Sequence, residues 1–160
     1  MTQILNVRHF SLGEGVDERG VPTKILSCNC SLEMEVDNKS YFFGLHIHPP
    51  LLEIYFGRLK FASSQGLESY VERASSSMEG LFVGVRNKPM YGAGSSMYDL
   101  LESGQGLSLT VQIRIRVWYQ IVWGLIKVKH HQVEDCIIIL HGTHDPGLHA
   151  KMYKSTCFQS

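Results

Sequence analysis

The sequence has no long hydrophobic run and no excess of charge of either sign. No segment reaches the roughly 18 consecutive apolar residues of a transmembrane helix, and residues 1–8 lack the basic and then apolar order of a signal peptide. The 15 basic and 15 acidic residues give a formal net charge of zero, so no overall field attracts nucleic acid or anionic membranes. We therefore expect a protein kept inside the cell, whose electrostatic contacts come from local patches.

Cysteine is scarce, and its spacing matches no disulfide framework. The four cysteines are Cys28, Cys30, Cys136 and Cys157. Cys28 and Cys30 are too close along an extended strand to bridge each other comfortably. Free thiols in a reducing compartment are therefore the default expectation, and Cys136, which follows two acidic residues, is predicted to be a core residue rather than a nucleophile.

Length and composition predict one globular domain over residues 1–160. A chain of 160 residues can bury a hydrophobic core, and 44% hydrophobic with 19% charged residues is ordinary globular usage. Residues 141–160 have no hydrophobic period and mix Gly, Pro, Lys and Ser. We expect a loosely ordered C-terminal tail from about residue 141.

The hydrophobic pattern predicts both strands and helices. Strict alternation predicts strands over 24–36 and 107–117. From Ser64 to Phe82, hydrophobic residues recur every three or four positions, which predicts an amphipathic helix, and Ser95 is predicted to cap a second, shorter one. The fold class predicted is α+β, an antiparallel β-sheet with two helices packed on one face. Further strands are predicted over 41–48, which would form a hairpin with 24–36, and over 51–61, 121–129 and 133–140.

The main candidates for metal ligands are two histidines, which are too few for a site on their own. His46 and His48 lie two apart on a predicted strand, so both rings point to one face. A zinc site needs at least one further ligand, and no pattern brings the tail residues near His46. Solvated or core histidines are favoured, and no catalytic residue, metal or cofactor is predicted. The residues of the C-terminal tail that could provide a further metal ligand are His141, His144, Asp145 and His149.

A local basic patch is the feature that most favours a binding function. Between Gly104 and Gln132 there are four basic residues and no acidic ones. In strands, the two arginines share a face, as do the two lysines. Two interpretations stay open: an ordinary solvated sheet face with core aromatics, or a contact surface for phosphate-bearing lipid or RNA. The candidate phosphate contacts are Arg114, Arg116, Lys127 and Lys129, with Arg86 and Lys88 added, and the candidate membrane-interface residues are Trp118, Tyr119 and Trp123.

Residues 55–117 contain a succession of motifs: Phe61-Ala-Ser-Ser64, a predicted helix, Leu81-Phe-Val-Gly-Val-Arg-Asn-Lys-Pro-Met-Tyr91, a second predicted helix, and the alternating strand Gly106-Leu-Ser-Leu-Thr-Val-Gln-Ile113. In order and spacing, this succession resembles the matrix proteins of rhabdoviruses. The family has this order of strand, helix, basic-Pro-Tyr turn, helix and strand. It also has a lysine-rich arm and a Pro-Pro-x-Tyr motif in its animal-infecting members, both of which are missing here. A member from a plant-infecting virus fits those absences better.

The resemblance implies a viral structural matrix protein without enzyme activity. Such a protein self-associates and links the nucleocapsid to the inner face of the envelope membrane, and it is found in the virion beneath the envelope and in the host cytoplasm. Its implied partners are itself, the viral nucleocapsid and an anionic membrane surface, with no small-molecule substrate. The resemblance assigns self-association to Pro89, Met90 and Tyr91.

Two alternatives come from other functional classes. One is a β-rich domain that encloses a small apolar ligand, which would need a preformed apolar pocket. The other, less favoured, is a metal-dependent enzyme that uses His46 and His48. The candidate lining of the ligand pocket is Tyr41, Phe42, Phe43 and Tyr55.

Overall fold

A computed structural model describes residues 2–121, 124–143 and 148–159, which form ten strands and one helix. Strands take 71% of the chain and helix 9%, so the protein is β-rich. The predicted α+β class with two helices on a sheet is therefore wrong. The elements are β1 (Thr2–Val16), β2 (Pro22–Asn38), β3 (Leu45–Ile47), β4 (Leu51–Phe56), β5 (Leu59–Gln65), β6 (Ser69–Val71), β7 (Ser75–Pro89), α1 (Tyr91–Glu102), β8 (Leu107–Ile121), β9 (Ile126–Thr143) and β10 (Leu148–Gln159).

The strands form one antiparallel sheet whose two ends meet. Its order is β5-β4-β8-β9-β10-β1-β2-β7, and the short β3 pairs with both β6 and β8. The outermost strands, β5 and β7, lie against each other, and the Lys88 Nζ donates a hydrogen bond of 2.9 Å to the Phe61 carbonyl oxygen. The curled sheet encloses the core, and α1 covers one end through buried Met97 and Leu101.

The predicted helix over residues 64–82 does not exist, because most of that segment belongs to β6 and β7. β7 pairs with β2 from Asn38↔Ser75 to Ile25↔Pro89. This pairing satisfies a full strand of backbone groups, whereas a helix there would leave β2 without a partner on that side. Of the residues at helical spacing, Met78 and Phe82 are exposed, while Leu81 is buried with Val83 in strand alternation.

Two predicted strands lie where expected, but their pairing differs. Residues 24–36 fall within β2 and residues 107–117 within β8. The predicted hairpin between 24–36 and 41–48 is wrong, since β2 pairs with β1 and β7. The second half of that hairpin is reduced to β3. The short helix predicted from Ser95 corresponds to α1, which begins earlier, at Tyr91.

The C-terminal segment also differs from the expected loose tail. β9 continues to Thr143, and Leu148–Gln159 forms β10 along it, paired from His149↔Thr143 to Gln159↔Glu134 with a register shift between Met152 and Lys154. Cys136 and Cys157 occupy paired positions and form a disulfide, so the expectation of four free thiols is wrong for these two. Spacing along the chain could not reveal this pair, because strand pairing brings together residues 21 positions apart.

Candidate functional site

The four basic residues predicted on strands lie on one outer face of β8 and β9. Ile113 and Ile115 on β8 are buried, so Arg114 and Arg116 point outward between them. Opposite Trp118 lies Lys129, and opposite Gln120 lies Lys127, which places both lysines on the same side as the arginines. We call Arg114, Arg116, Lys127 and Lys129 the basic face.

The cations of the basic face differ in their freedom to bind a partner. The Arg114 Nε lies 3.9 Å from the Glu53 Oε1 and its guanidinium donates to the Gln112 Oε1. Glu53 is itself only 5% exposed and pairs with Lys60 at 3.1 Å. Within the part of the chain that is described, Arg116, Lys127 and Lys129 have no ion pair, so their charges are available.

Trp118 lies beside the basic face, opposite Lys129, and is held by stacking. Its ring stacks on His46 at 3.8 Å between centroids with a 5° interplanar angle, and the Lys127 Nζ lies 4.1 Å from the centre of a Trp118 ring. Tyr119 instead stacks on Phe43 at 4.3 Å. The third predicted interface residue, Trp123, lies outside the described residues.

A cleft of about 760 Å³ opens beside the basic face, between the loop 39–44, the turn after β6, the end of β8 and Gly124. Phe42 is 89% exposed and Tyr41 75% exposed. Three of the four residues predicted to line a ligand pocket therefore lie at this cleft; the fourth, Tyr55, is on β4 and donates to Glu53. The lining consists of Tyr41, Phe42, Phe43, Gly44, His46, Tyr70, Arg73, Gln120, Ile121 and Gly124.

Buried Asn38 fixes the loop that carries the exposed rings. Its amide nitrogen donates to the carbonyl oxygens of Phe43 at 3.0 Å, Val71 at 3.4 Å and Glu72 at 3.2 Å. The Ser40 hydroxyl accepts hydrogen bonds from the backbone amides of Phe42 and Phe43. The Ala74 amide donates to the Ser40 carbonyl oxygen at 2.7 Å. The loop and the turn after β6 are thus tied into one unit.

Sequence reasoning missed Tyr70 and Arg73, which line this cleft, and Asn38, which holds its loop. The signal that could have found the site is the run Tyr41-Phe42-Phe43 directly after a turn sequence, since adjacent aromatic residues cannot all point into a core.

The remaining predicted site residues are dispersed. Arg86 lines a separate depression with His9 and Asn29, and Lys88 bonds to β5, so neither joins the basic face. Met90 is 4% exposed and belongs to the core, which leaves Pro89 and Tyr91 as the accessible members of the self-association set. Among the residues described, no group of three or more His, Cys, Asp or Glu is placed to hold a metal ion.

The shifted pKa values lie away from the cleft. Hydrogen bonds from the Val21 backbone amide and the Tyr91 hydroxyl hold the pKa of Asp17 below its usual value, and the same bond to Asp17 raises the pKa of Tyr91. Two causes raise the pKa of the Cys28 thiol: the larger is its hydrogen bond to Cys30, and the smaller is burial. The Asp17–Tyr91 hydrogen bond connects the turn after β1 to α1, and Cys28 and Cys30 lie in the core.

Comparison with known proteins gives a distant structural likeness. No family model and no curated protein matches the chain. A solved structure, described as the crystal structure of a protein from Archaeoglobus fulgidus, aligns over 96% of this chain and 97% of that chain, at 10% sequence identity and a TM-score of 0.43. α1, the helix of the described part of the chain, is too short to cross a membrane. These comparisons do not indicate a function, whereas the basic face and the cleft provide geometry from which one can be proposed.

Proposed function

We propose that the protein is a non-catalytic binding module that docks on an anionic membrane surface through the basic face. The observation that carries this proposal is the placement of Arg116, Lys127 and Lys129 on one exposed sheet face without carboxylate partners in the described ranges. Lipid phosphate and carboxylate groups are ligands that such a patch attracts despite zero net charge.

Apolar side chains at the end of the basic face favour lipid over RNA. Leu125, in the turn two residues before Lys127, is 81% exposed. Trp118, which is paired with Lys129, adds aromatic area on the same side of the sheet. Apolar and aromatic groups beside basic ones suit the membrane interface, where rings and aliphatic groups enter the head-group region and cations contact the phosphates.

The narrower hypothesis of a viral matrix protein stays a prediction with less support. The resemblance rested partly on a helix over 64–82, a segment that falls mainly in β6 and β7. The Cys136–Cys157 disulfide favours an oxidising compartment, whereas the matrix assignment implies host cytoplasm. Membrane docking is the part of that hypothesis that the basic face supports.

Liposome co-sedimentation tests the proposal. We expect binding to vesicles of phosphatidylcholine with phosphatidylserine and none to phosphatidylcholine alone. The double variant Arg116→Gln/Lys129→Gln should bind roughly thirtyfold more weakly, because each basic residue near an anionic surface contributes about 1 kcal/mol. Arg114→Gln should have a smaller effect, since Glu53 and Gln112 already engage that side chain.

The matched control is Arg58→Gln/Arg86→Gln, which removes two exposed cations outside the basic face. It should bind vesicles as the unaltered protein does. Equal binding to neutral vesicles, or equal losses in the two double variants, would refute the membrane proposal. Preferential binding to a single-stranded RNA over the anionic vesicles, lost with the same two residues, would assign the face to RNA instead.

A further inference from the structure

The loop 39–44 holds two aromatic rings in water at a fixed position. Tyr41 and Phe42 are the most exposed rings of the cleft, although exposing such large apolar surfaces is unfavourable. The loop is nevertheless ordered by the three hydrogen bonds of Asn38. A preformed display of unpaired rings lowers the entropic cost of binding a partner that can stack on them.

The turn after β6, which is hydrogen-bonded to the loop 39–44, supplies a positive charge. Arg73 is the charged residue in the lining and is exposed, and no ion pair is found for it among the described residues. It is followed by Ala74, whose φ of 51° lies in the left-handed region. A non-glycine residue in that region is strained, and such strain persists where surrounding contacts hold a segment in place; here the Ala74 amide is bonded to Ser40.

The other rings of the cleft, those of Phe43, His46 and Tyr70, are engaged in ring contacts. Phe43 is stacked on Tyr119, and His46 is stacked on Trp118 and contacts Tyr70 edge-on. The Tyr70 hydroxyl occupies the space that a side chain at Gly44 would need. Among the described residues, the cleft therefore combines three rings that make ring contacts with two exposed rings and one guanidinium group without an ion pair.

We propose that this cleft is a binding site for a planar aromatic anion, a ring system that bears a carboxylate, sulfonate or phosphate group. The ring stacks with Tyr41 and Phe42, and the anion contacts Arg73 by charge-assisted hydrogen bonds. The volume of about 760 Å³ is within the range of small-molecule sites. This site uses different residues from the basic face, so the two proposals can fail separately.

Fluorescence titration with 8-anilinonaphthalene-1-sulfonate tests the site, with the neutral N-phenyl-1-naphthylamine as the matched probe. We expect saturable binding of the sulfonate at one molecule per chain. Phe42→Ala should weaken it at least about fivefold, the lower limit for loss of one stacking ring. Arg73→Gln should weaken the sulfonate about tenfold and leave the neutral probe unchanged.

Two controls separate this site from general stickiness and from the basic face. Phe82→Ala removes another exposed ring, on β7, and should leave the titration unchanged. The double variant Arg116→Gln/Lys129→Gln should also bind the sulfonate normally, even where it no longer binds vesicles. Equal affinity of the two probes for the unaltered protein would overturn the proposal, as would unchanged sulfonate binding by Phe42→Ala and Arg73→Gln.

Discussion

Asn38 is a buried polar side chain whose hydrogen bonds position the exposed aromatic loop. We predict that Asn38→Ala lowers the free energy of unfolding by about 1–3 kcal/mol, because three carbonyl groups, one buried and two partly buried, lose a donor. Those carbonyls belong to Phe43, Val71 and Glu72. Equilibrium unfolding in urea, followed by tryptophan fluorescence, measures the change.

Asn29 provides the control for this substitution, since it lies on the same strand but is exposed. Asn29→Ala should change the free energy of unfolding by less than about 0.5 kcal/mol. Equal stabilities for the two alanine variants would show that the Asn38 bonds do not hold the loop.

At the residue scale, alternation predicted which side of the sheet a residue faces but not which residues of other strands become its neighbours. Alternation placed Arg114 and Arg116 on one face, and the structure agrees. It could not show that Glu53, 61 positions from Arg114, approaches that guanidinium group. It also could not join Lys88 to Phe61, because both contacts depend on which strands become neighbours.

At the element scale, β10 depends on β9, to which it is joined by the Cys136–Cys157 disulfide. We predict that reduction lowers the free energy of unfolding by about 3 kcal/mol, the loop-closure value for two cysteines 21 residues apart. Unfolding midpoints in urea with and without dithiothreitol measure this difference. Thiol titration of the oxidised protein in denaturant should count two free thiols, from Cys28 and Cys30.

Cys157→Ser is the matched control, because it removes the disulfide without altering the core position of Cys136. Its unfolding midpoint should match that of the reduced protein and should not respond to dithiothreitol. Four free thiols in the oxidised protein would contradict the pairing.

The elements differ in how strongly their secondary structure depends on residues that are distant in the sequence. β2 and β8 were predictable because alternation over more than ten residues is typical of a half-buried strand. β7 was mistaken for helix, since its hydrophobic residues at three- and four-residue spacing fit both periods locally. Just after the predicted helix, a Cβ at Gly84 would lie 2.6 Å from the Cys28 carbonyl oxygen, which is the close strand approach that a glycine inside a strand often marks.

At the scale of the whole molecule, the sheet is held curled where β5 meets β7. Lys88 contributes to this closure by donating to the Phe61 carbonyl oxygen at 2.9 Å. The same residue was predicted from sequence as a phosphate contact, and the two roles have different consequences. A closing contact affects unfolding, whereas a phosphate contact affects vesicle binding.

We predict that Lys88→Met lowers the free energy of unfolding by about 1–2 kcal/mol, because methionine keeps the apolar stem but leaves the Phe61 carbonyl group without its charged donor. Vesicle binding should be unchanged, since β4 and β5 separate β7 from β8 on the shorter route around the sheet. Arg86→Met, at an exposed position of the same strand, should alter neither property. If Lys88→Met instead weakened vesicle binding at unchanged stability, Lys88 would be a lipid contact, and the closure of the curled sheet would depend on apolar packing between β5 and β7 alone.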